Sequence, residues 1–218
     1  MYRLHAFAQS GNAYKVALLL EALRQPWTAV HLPFSEFVAG VQRSEEWRQQ
    51  VNAMGELPIL EADGRKLTQS AAIMLFLADK HDAYGGKDKD ERLEVMRWLF
   101  FDNHKFTSYF ATWRFMKSFM PTAPDPSLEK WLKGRIDNAF GIVERRLSGR
   151  EYVVGDRPTI ADMSLCGYLY YPADESGIDI GRTYPSMATW LERLKGLPGW
   201  KPPYDMLPGE RIAPRWPG

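Results

Sequence analysis

Gly55-Glu56-Leu57-Pro58-Ile59-Leu60-Glu61-Ala62-Asp63-Gly64-Arg65-Lys66-Leu67-Thr68-Gln69-Ser70-Ala71-Ala72-Ile73-Met74-Leu75-Phe76-Leu77 is the stretch whose reading decides the fold. The apolar run Leu57 to Leu60 stops at Glu61, and Asp63-Gly64 is a pair that tight two-residue hairpins favour. A second short strand, about Lys66 to Thr68, runs into Gln69-Ser70. There the period changes: Ile73, Phe76 and Leu77 fall at i, i+3 and i+4, a helical stripe. Ser70 is expected to cap that helix through its hydroxyl. The stretch therefore reads strand, turn, strand, helix.

Two features of it suit a ligand. Pro58 cannot donate to a ladder, so its strand is an edge or bends there. A cis Leu57-Pro58 bond would turn the Leu57 amide and carbonyl outward, to pair with an extended ligand as an added strand does. Gln69 and Ser70 open a helix, where backbone N–H groups and the positive dipole end favour a carboxylate. Taken singly, these pieces also fit a plain hairpin feeding a capped helix.

Working outward, Tyr2 to Phe7 reads as a first strand. After Ala8-Gln9-Ser10-Gly11-Asn12 comes a helix with Val16, Leu19, Leu20 and Leu23 in phase, and Trp27 to Leu32 reads as a second strand. A polar-aromatic connection with a helix at about 44–51 leads back to the opening stretch. The order β-α-β, then β-β-α, is the thioredoxin-like arrangement.

Here a resemblance becomes specific. Gly55-Glu56-Leu57-Pro58-Ile59-Leu60 resembles the G-x-V-P-x-L loop of cytosolic glutathione transferases, and Leu67-Thr68-Gln69-Ser70-Ala71-Ala72-Ile73 resembles their L-x-E/Q-S-x-A-I segment. Ser10-Gly11-Asn12-Ala13-Tyr14-Lys15-Val16 is similar to the first-turn motif of bacterial serine-type members. Gly155-Asp156-Arg157-Pro158-Thr159-Ile160-Ala161-Asp162 resembles the G-D-x-x-[ST]-x-A-D signature. One departure is Asn52-Ala53-Met54-Gly55, where many members carry N-P-x-G, which bears on local loop geometry. Gln69 replaces the commoner Glu.

Composition agrees with a globular chain: 218 residues, 45% hydrophobic, 25% charged, eight Trp and a formal charge of +1. That charge offers no electrostatic case for nucleic acid, and no apolar run approaches the ~20 residues that span a bilayer. Cys166 is the single cysteine, which excludes an internal disulfide. With an N-terminus that lacks a secretory pattern, this predicts a cytoplasmic protein.

The Gly-rich segment 81–88 is expected to link a thioredoxin-like α/β domain, 1–80, to an all-α domain, 89–218. In the latter, Leu93, Met96, Leu99, Phe100, Asn103, Phe106 and Phe110 predict one long helix over about 90–120, which Pro121, Pro124 and Pro126 end. A second helix is expected over 127–147, with Leu128, Trp131, Leu132, Ile136, Phe140 and Val143 on one face. Thr159 and Asp162 have the spacing of a capping box, a folding element, and a further helix spans about 185–196. The Pro-rich tail from Pro198 is expected to lie over the surface.

The resemblance implies glutathione as co-substrate, and the chemical problem is its thiol. Near pKa 8.5 only a few per cent is thiolate at neutral pH, and the thiolate is the nucleophile. Lowering the pKa by two units needs about 2.7 kcal/mol. A hydrogen bond to a charged group contributes about 1.5–3 kcal/mol, and a helix N-terminus about 0.3–1 kcal/mol. One hydroxyl at the first helical turn is therefore enough in magnitude. Ser10 is the expected donor, without attacking itself, since no His or Asp nearby in sequence serves as base. Its other reading is the N-cap of the first helix. Asn12 is the second candidate. Tyr2 begins the strand too early to fill the family's first-strand tyrosine, and Tyr14 is a weaker candidate.

By the same resemblance, Gln69 and Ser70 would hold the γ-glutamyl end and the Leu57 backbone, beside Pro58, the cysteinyl residue. Arg43, with Gln42 as a neighbour, would meet the glycine carboxylate; a solvated surface charge is the competing reading. Asp102 or Asn103 would reach the γ-glutamyl amine, within one copy or across a dimer interface. An apolar electrophile is expected between the domains against Phe106, Tyr109, Phe110 and Trp113, with Phe119 nearby, although core packing also explains that stripe. His5, His31, His81 and His104 lack ligand spacing, so no metal is expected. The leading function is a detoxifying glutathione S-transferase, expected to be a homodimer as the family is. The alternatives are a glutathione-dependent disulfide or peroxide reductase and a non-catalytic glutathione-fold binding protein.

Overall fold

In the computed structural model, which describes residues 1–216, a four-stranded sheet is the base of the first unit, Met1–Ala83 with Leu197–Arg211. Strand β1 (Tyr2–Ala6) pairs in parallel with β2 (Trp27–His31), with helix α1 (Gly11–Ala22) between them in sequence. Strand β3 (Ile59–Ala62) runs antiparallel to β1, and β4 (Arg65–Thr68) antiparallel to β3, giving the order β2-β1-β3-β4. Ala62 faces Arg65 across a two-residue loop, and Asp63 (φ 52°) and Gly64 (φ 72°) are both left-handed, as a twist-matched hairpin requires.

Between β2 and β3 lie α2 (Phe34–Ala39), a 3₁₀ turn (Val41–Arg43) and α3 (Glu45–Gln50), of which the sequence reading anticipated only α3. Helix α4 (Ser70–His81) packs beside α1. Leu4, Val16, Leu19, Leu60, Ile73 and Leu77 close this core with no exposed surface. The apolar stripe foresees one buried face on α1, yet Ala13 to Leu20 are buried all round, the signature of a helix with packing on more than one side.

The second unit, Tyr84–Gly196 with residues 212–216 of the tail, is built from helices between 89 and 194. Asp88 caps α5 (Lys89–Phe101), which continues through a π-helical turn (Asp102–Phe106) into α6 (Thr107–Phe119). The predicted long helix is thus present but wound differently at its centre. There the Asp102 carboxylate is fully buried and accepts the hydroxyls of Thr107 (2.6 Å) and Ser164 (2.5 Å). Helix α7 (Pro126–Leu147) begins one residue before the predicted start, capped by Asp125. It buries Leu132, Ile136, Phe140 and Val143, but Leu128 and Trp131 of the expected face stand 44% and 51% exposed.

Thr159 caps α8 (Ile160–Leu165) in the expected box: Thr159 Oγ1 accepts from the Ala161 amide, and Asp162 Oδ2 from the Thr159 amide at 2.9 Å. Asp162 Oδ1 also takes the Val153 amide and Trp190 Nε1, both at 2.9 Å. Burial pushes the Asp162 carboxyl up from its ordinary value, against those bonds. Short α9 (Ile180–Thr183) precedes α10 (Pro185–Leu194).

The expected boundary assigns everything after 89 to the helical domain, and the structure departs from it. Leu197–Arg211, including α11 (Pro203–Met206), packs with the first unit. Tyr14 donates its hydroxyl to the Lys201 carbonyl and Ala8 its amide to the Pro208 carbonyl, each at 2.8 Å. A proline-rich segment uses few of its own carbonyls in regular structure, and donors on α1 and the turn before it take them.

Candidate functional site

Strand register gathers the motifs. His5 faces Ile59, and Ile59 faces Thr68, so the C-terminal end of β1, the start of β3 and the end of β4 share one end of the sheet. Ala6 pairs with His31, which brings the exit of β2 to the same end. From these four strand ends spring the Ser10 turn, the Leu57-Pro58 loop, Gln69-Ser70, and the segment carrying Gln42 and Arg43.

Ser10 is the N-cap of α1, in extended backbone, and its Oγ accepts the Ala13 amide at 3.1 Å. A hydroxyl oxygen can accept while its proton donates elsewhere. No acceptor among the described residues takes that proton, so the capping and donor readings are compatible. Ser10 is 6% exposed. Asn12 Oδ1 is enclosed and accepts no hydrogen bond among the described residues. The competing phenols are engaged, Tyr2 with His81 Nε2 at 2.8 Å and Tyr14 with Lys201.

The Leu57-Pro58 bond is cis. The ladder of β3 begins at Ile59, leaving the Leu57 amide and carbonyl outside it. Asn52 shapes the approach: Nδ2 donates to the Glu56 carbonyl, Oδ1 accepts the Met54 amide, and the Gly55 amide reaches the Asn52 carbonyl. This loop therefore closes without the family's proline at 53. Gly55 is left-handed (φ 66°), and a Cβ there would stand 2.8 Å from the Gln42 carbonyl, so only glycine fits.

Ser70 is not the cap of α4. Gln69 is, at φ 67° and ψ 110° with no side-chain capping bond, and Ser70 is the first helical residue. The physical reason is the left-handed entry at Gln69, which leaves its side chain to donate to Glu56 Oε2 at 2.8 Å across the neighbouring loop. The first hydrogen bond of α4 comes from the Ile73 amide, so those of Ser70, Ala71 and Ala72 face outward at the helix end. Together with the buried Ser70 hydroxyl, they form an anion-accepting terminus.

Gln42 is 2% exposed, with Oε1 enclosed and unbonded among the described residues. Arg43 is exposed and folds over Gly40. The sequence reading passed over Arg48, whose guanidinium lies 3.2–3.3 Å from where a Gly55 Cβ would stand. It also passed over the Glu56–Gln69 bond, which carries no sequence pattern.

The expected electrophile residues make contacts within the helical unit. Phe106 and Phe110 pack on Phe140, at 4.7 and 5.1 Å between ring centres, and Trp113 Nε1 donates to the Ser176 carbonyl at 2.6 Å. Tyr109 meets Trp131 edge-on. Phe110 does touch a cavity of about 90 Å³ beside Arg114, Tyr168 and Tyr171. That is smaller than the ~150 Å³ that holds one benzene. Asp102 is fully buried, its oxygens accepting from Thr107 and Ser164, whereas Asn103 Nδ2 donates to the Leu99 carbonyl and leaves Oδ1 as the acceptor that an amine would use. These contacts are those of core packing, which an aromatic stripe at helical spacing serves as readily as a binding wall. Among the described residues no three His, Cys, Asp or Glu side chains cluster as a metal site needs.

Comparison with known proteins fits this layout. The profile described as "Glutathione S-transferase, N-terminal domain" matches residues 4–86, and that of "Glutathione S-transferase, C-terminal domain" matches 104–198. Glutathione S-transferase 2 of Schizosaccharomyces pombe is 25% identical over 94% of this chain and 96% of its own. A solved glutathione S-transferase from Pseudomonas fluorescens is 31% identical, with a TM-score of 0.81 over 93% of this chain and 98% of its own. A possible glutathione S-transferase from Rhodopseudomonas palustris is 29% identical, with a TM-score of 0.83 over 98% and 92%. Two matched domain profiles and a solved relative above 30% identity covering nearly the whole chain make this protein a member of the glutathione S-transferase family.

Proposed function

We propose that this protein is a glutathione S-transferase that holds glutathione as its thiolate for attack on an apolar electrophile. The observation that carries the reading is the Ser10 hydroxyl, at the start of α1 with its proton uncommitted, at the sheet end that also presents the cis-proline loop and the start of α4. Ser10 donates to the sulfur and the Asn12 carboxamide assists. The Leu57 backbone, beside Pro58, pairs with the cysteinyl residue. Ser70 and the first amides of α4 take the γ-glutamyl carboxylate, with Gln69 beside them at the γ-glutamyl end, and Gln42 with Arg43 or Arg48 takes the glycine end. The transfer makes a carbon–sulfur bond with the sulfur's electron pair while the electrophile's leaving group departs with its own.

We read the protein as cytoplasmic and dimeric; the exposed Leu93 (63%) and Phe100 (71%) on α5 suit a face covered by a second copy. Retention on immobilised glutathione, followed by conjugation of chlorodinitrobenzene and reduction of hydroxyethyl disulfide, tests the reading. Conjugation that drops in Ser10→Ala supports it. Disulfide reduction without conjugation would replace it with the reductase reading, and no retention with no turnover would end it.

A further inference from the structure

The turn that carries Ser10 is clamped from behind by chain about 200 residues away. Ala8 donates its amide to the Pro208 carbonyl at 2.8 Å, and Gln9 its Nε2 to the Glu210 carbonyl at 2.6 Å. Between those acceptors, Gly209 (φ 120°) lies flat on the turn: a Cβ there would stand 3.4 Å from the Ala8 Cβ and 3.5 Å from its amide. On α1, Tyr14 ties its hydroxyl to the Lys201 carbonyl, so the same tail segment grips the turn and the helix that follows it. Gln9 is 4% exposed and immediately precedes Ser10. A buried carboxamide committed to a backbone carbonyl holds its own main chain in place, and a hydroxyl that must meet a sulfur within a few tenths of an ångström depends on such support.

We propose that Gln9 is a positioning residue for the thiol site, and that the segment 208–210 is the strap through which it acts. The proposal rests on the reading of Ser10 as the donor to sulfur. In it, Gln9 never touches glutathione. It sets the height and direction of the Ser10 turn, so its loss weakens the bond to the thiolate more than it weakens binding of the tripeptide. The tail side of the clamp consists of carbonyls and one left-handed glycine. The strap therefore asks of its own sequence little beyond Gly209, while the turn side depends on the Gln9 donor.

The experiment titrates the thiolate absorbance of enzyme-bound glutathione against pH in the full-length protein, with kcat and KM for chlorodinitrobenzene conjugation measured alongside. The forms compared are the parent, Ser10→Ala, Gln9→Met (equal length, no donor) and Gly209→Ala, which disturbs the strap and leaves Gln9 intact. The expected result is a bound-thiol pKa raised in both Gln9→Met and Gly209→Ala, by up to about one unit. At neutral pH that removes up to about tenfold of the thiolate, with kcat reduced and KM for glutathione within about twofold. A merely structural Gln9 would lower melting temperature and leave the thiol pKa in place, and that outcome overturns the proposal. If Gln9→Met does not fold, Gly209→Ala decides by the same criterion. A raised pKa in Ser10→Ala with parent values in the other two sinks the strap and spares the donor reading. An unchanged pKa in Ser10→Ala removes both.

Discussion

Ser10 Oγ accepts the Ala13 amide at 3.1 Å, so one oxygen caps α1 while its proton points at no protein acceptor among the described residues. The two functions use different parts of the hydroxyl and are separable by substitution. Ser10→Ala should cost about 1 kcal/mol of stability through the cap and lower conjugation about 10- to 100-fold, the equivalent of one charge-assisted hydrogen bond. Ser10→Gly should recover most of the stability, since glycine is tolerated at a cap, and none of the activity. Thermal melts and chlorodinitrobenzene kinetics on the pair read this out. Parent-like turnover in both would shift the sulfur donor to Asn12 or to backbone amides.

Ser70 heads α4 without capping it, buried and at the helix end. Ser70→Ala should cost about 1 kcal/mol of stability or less while weakening glutathione about 10-fold or more, because a hydroxyl–carboxylate bond is lost. Calorimetric titration with glutathione checks it; an unchanged Kd would place the γ-glutamyl carboxylate elsewhere.

Gln69 holds a left-handed backbone (φ 67°) that a side chain occupies at a cost of about 1–3 kcal/mol. Gln69→Gly should raise stability by about 1 kcal/mol after the entropy of glycine is subtracted, and reduce glutathione affinity. A variant both less stable and tighter-binding would show that the conformation serves neither strain nor ligand.

The Arg157 guanidinium bridges both oxygens of Glu91, at 3.2 and 2.8 Å, and holds its carboxyl below the ordinary value, with the Lys87 amide adding to the effect. A depressed carboxyl pKa contributes stability above the unfolded-state value, about 4.3, and that contribution fades as pH falls through the folded value. Glu91→Gln should therefore lose about 1 kcal/mol near neutrality, the pair being partly exposed, and nothing at the acid end. Urea midpoints from pH 7 down to 3 that differ by a constant amount would contradict this.

Asp162 accepts from the Val153 amide, the Thr159 amide and hydroxyl, and Trp190 Nε1. Asp162→Ala strands these buried donors and should cost about 3 kcal/mol or more, seen as a large fall in melting temperature of whatever folded protein remains. A loss below about 1 kcal/mol would mean that water replaces the carboxylate there.

What local chemistry can specify was legible in the chain. Asp63-Gly64 carries its hairpin because few other pairs tolerate two left-handed residues. Thr159 and Asp162 announce their box by spacing, and Ser10, Pro58 and Gln69-Ser70 identify the family by motif. Periodicity reports that Phe106 and Phe110 are covered, and it is silent on whether protein or ligand covers them; Phe140 supplies the answer. Which residue opens α4 turned on one backbone angle at Gln69, which no side-chain pattern encodes. The register from His5 to Ile59 to Thr68 was also left to the folded chain, as was the return of 208–210 to Ala8 and Gln9. Those links run through main-chain groups that every residue possesses, so only packing in three dimensions selects the partners.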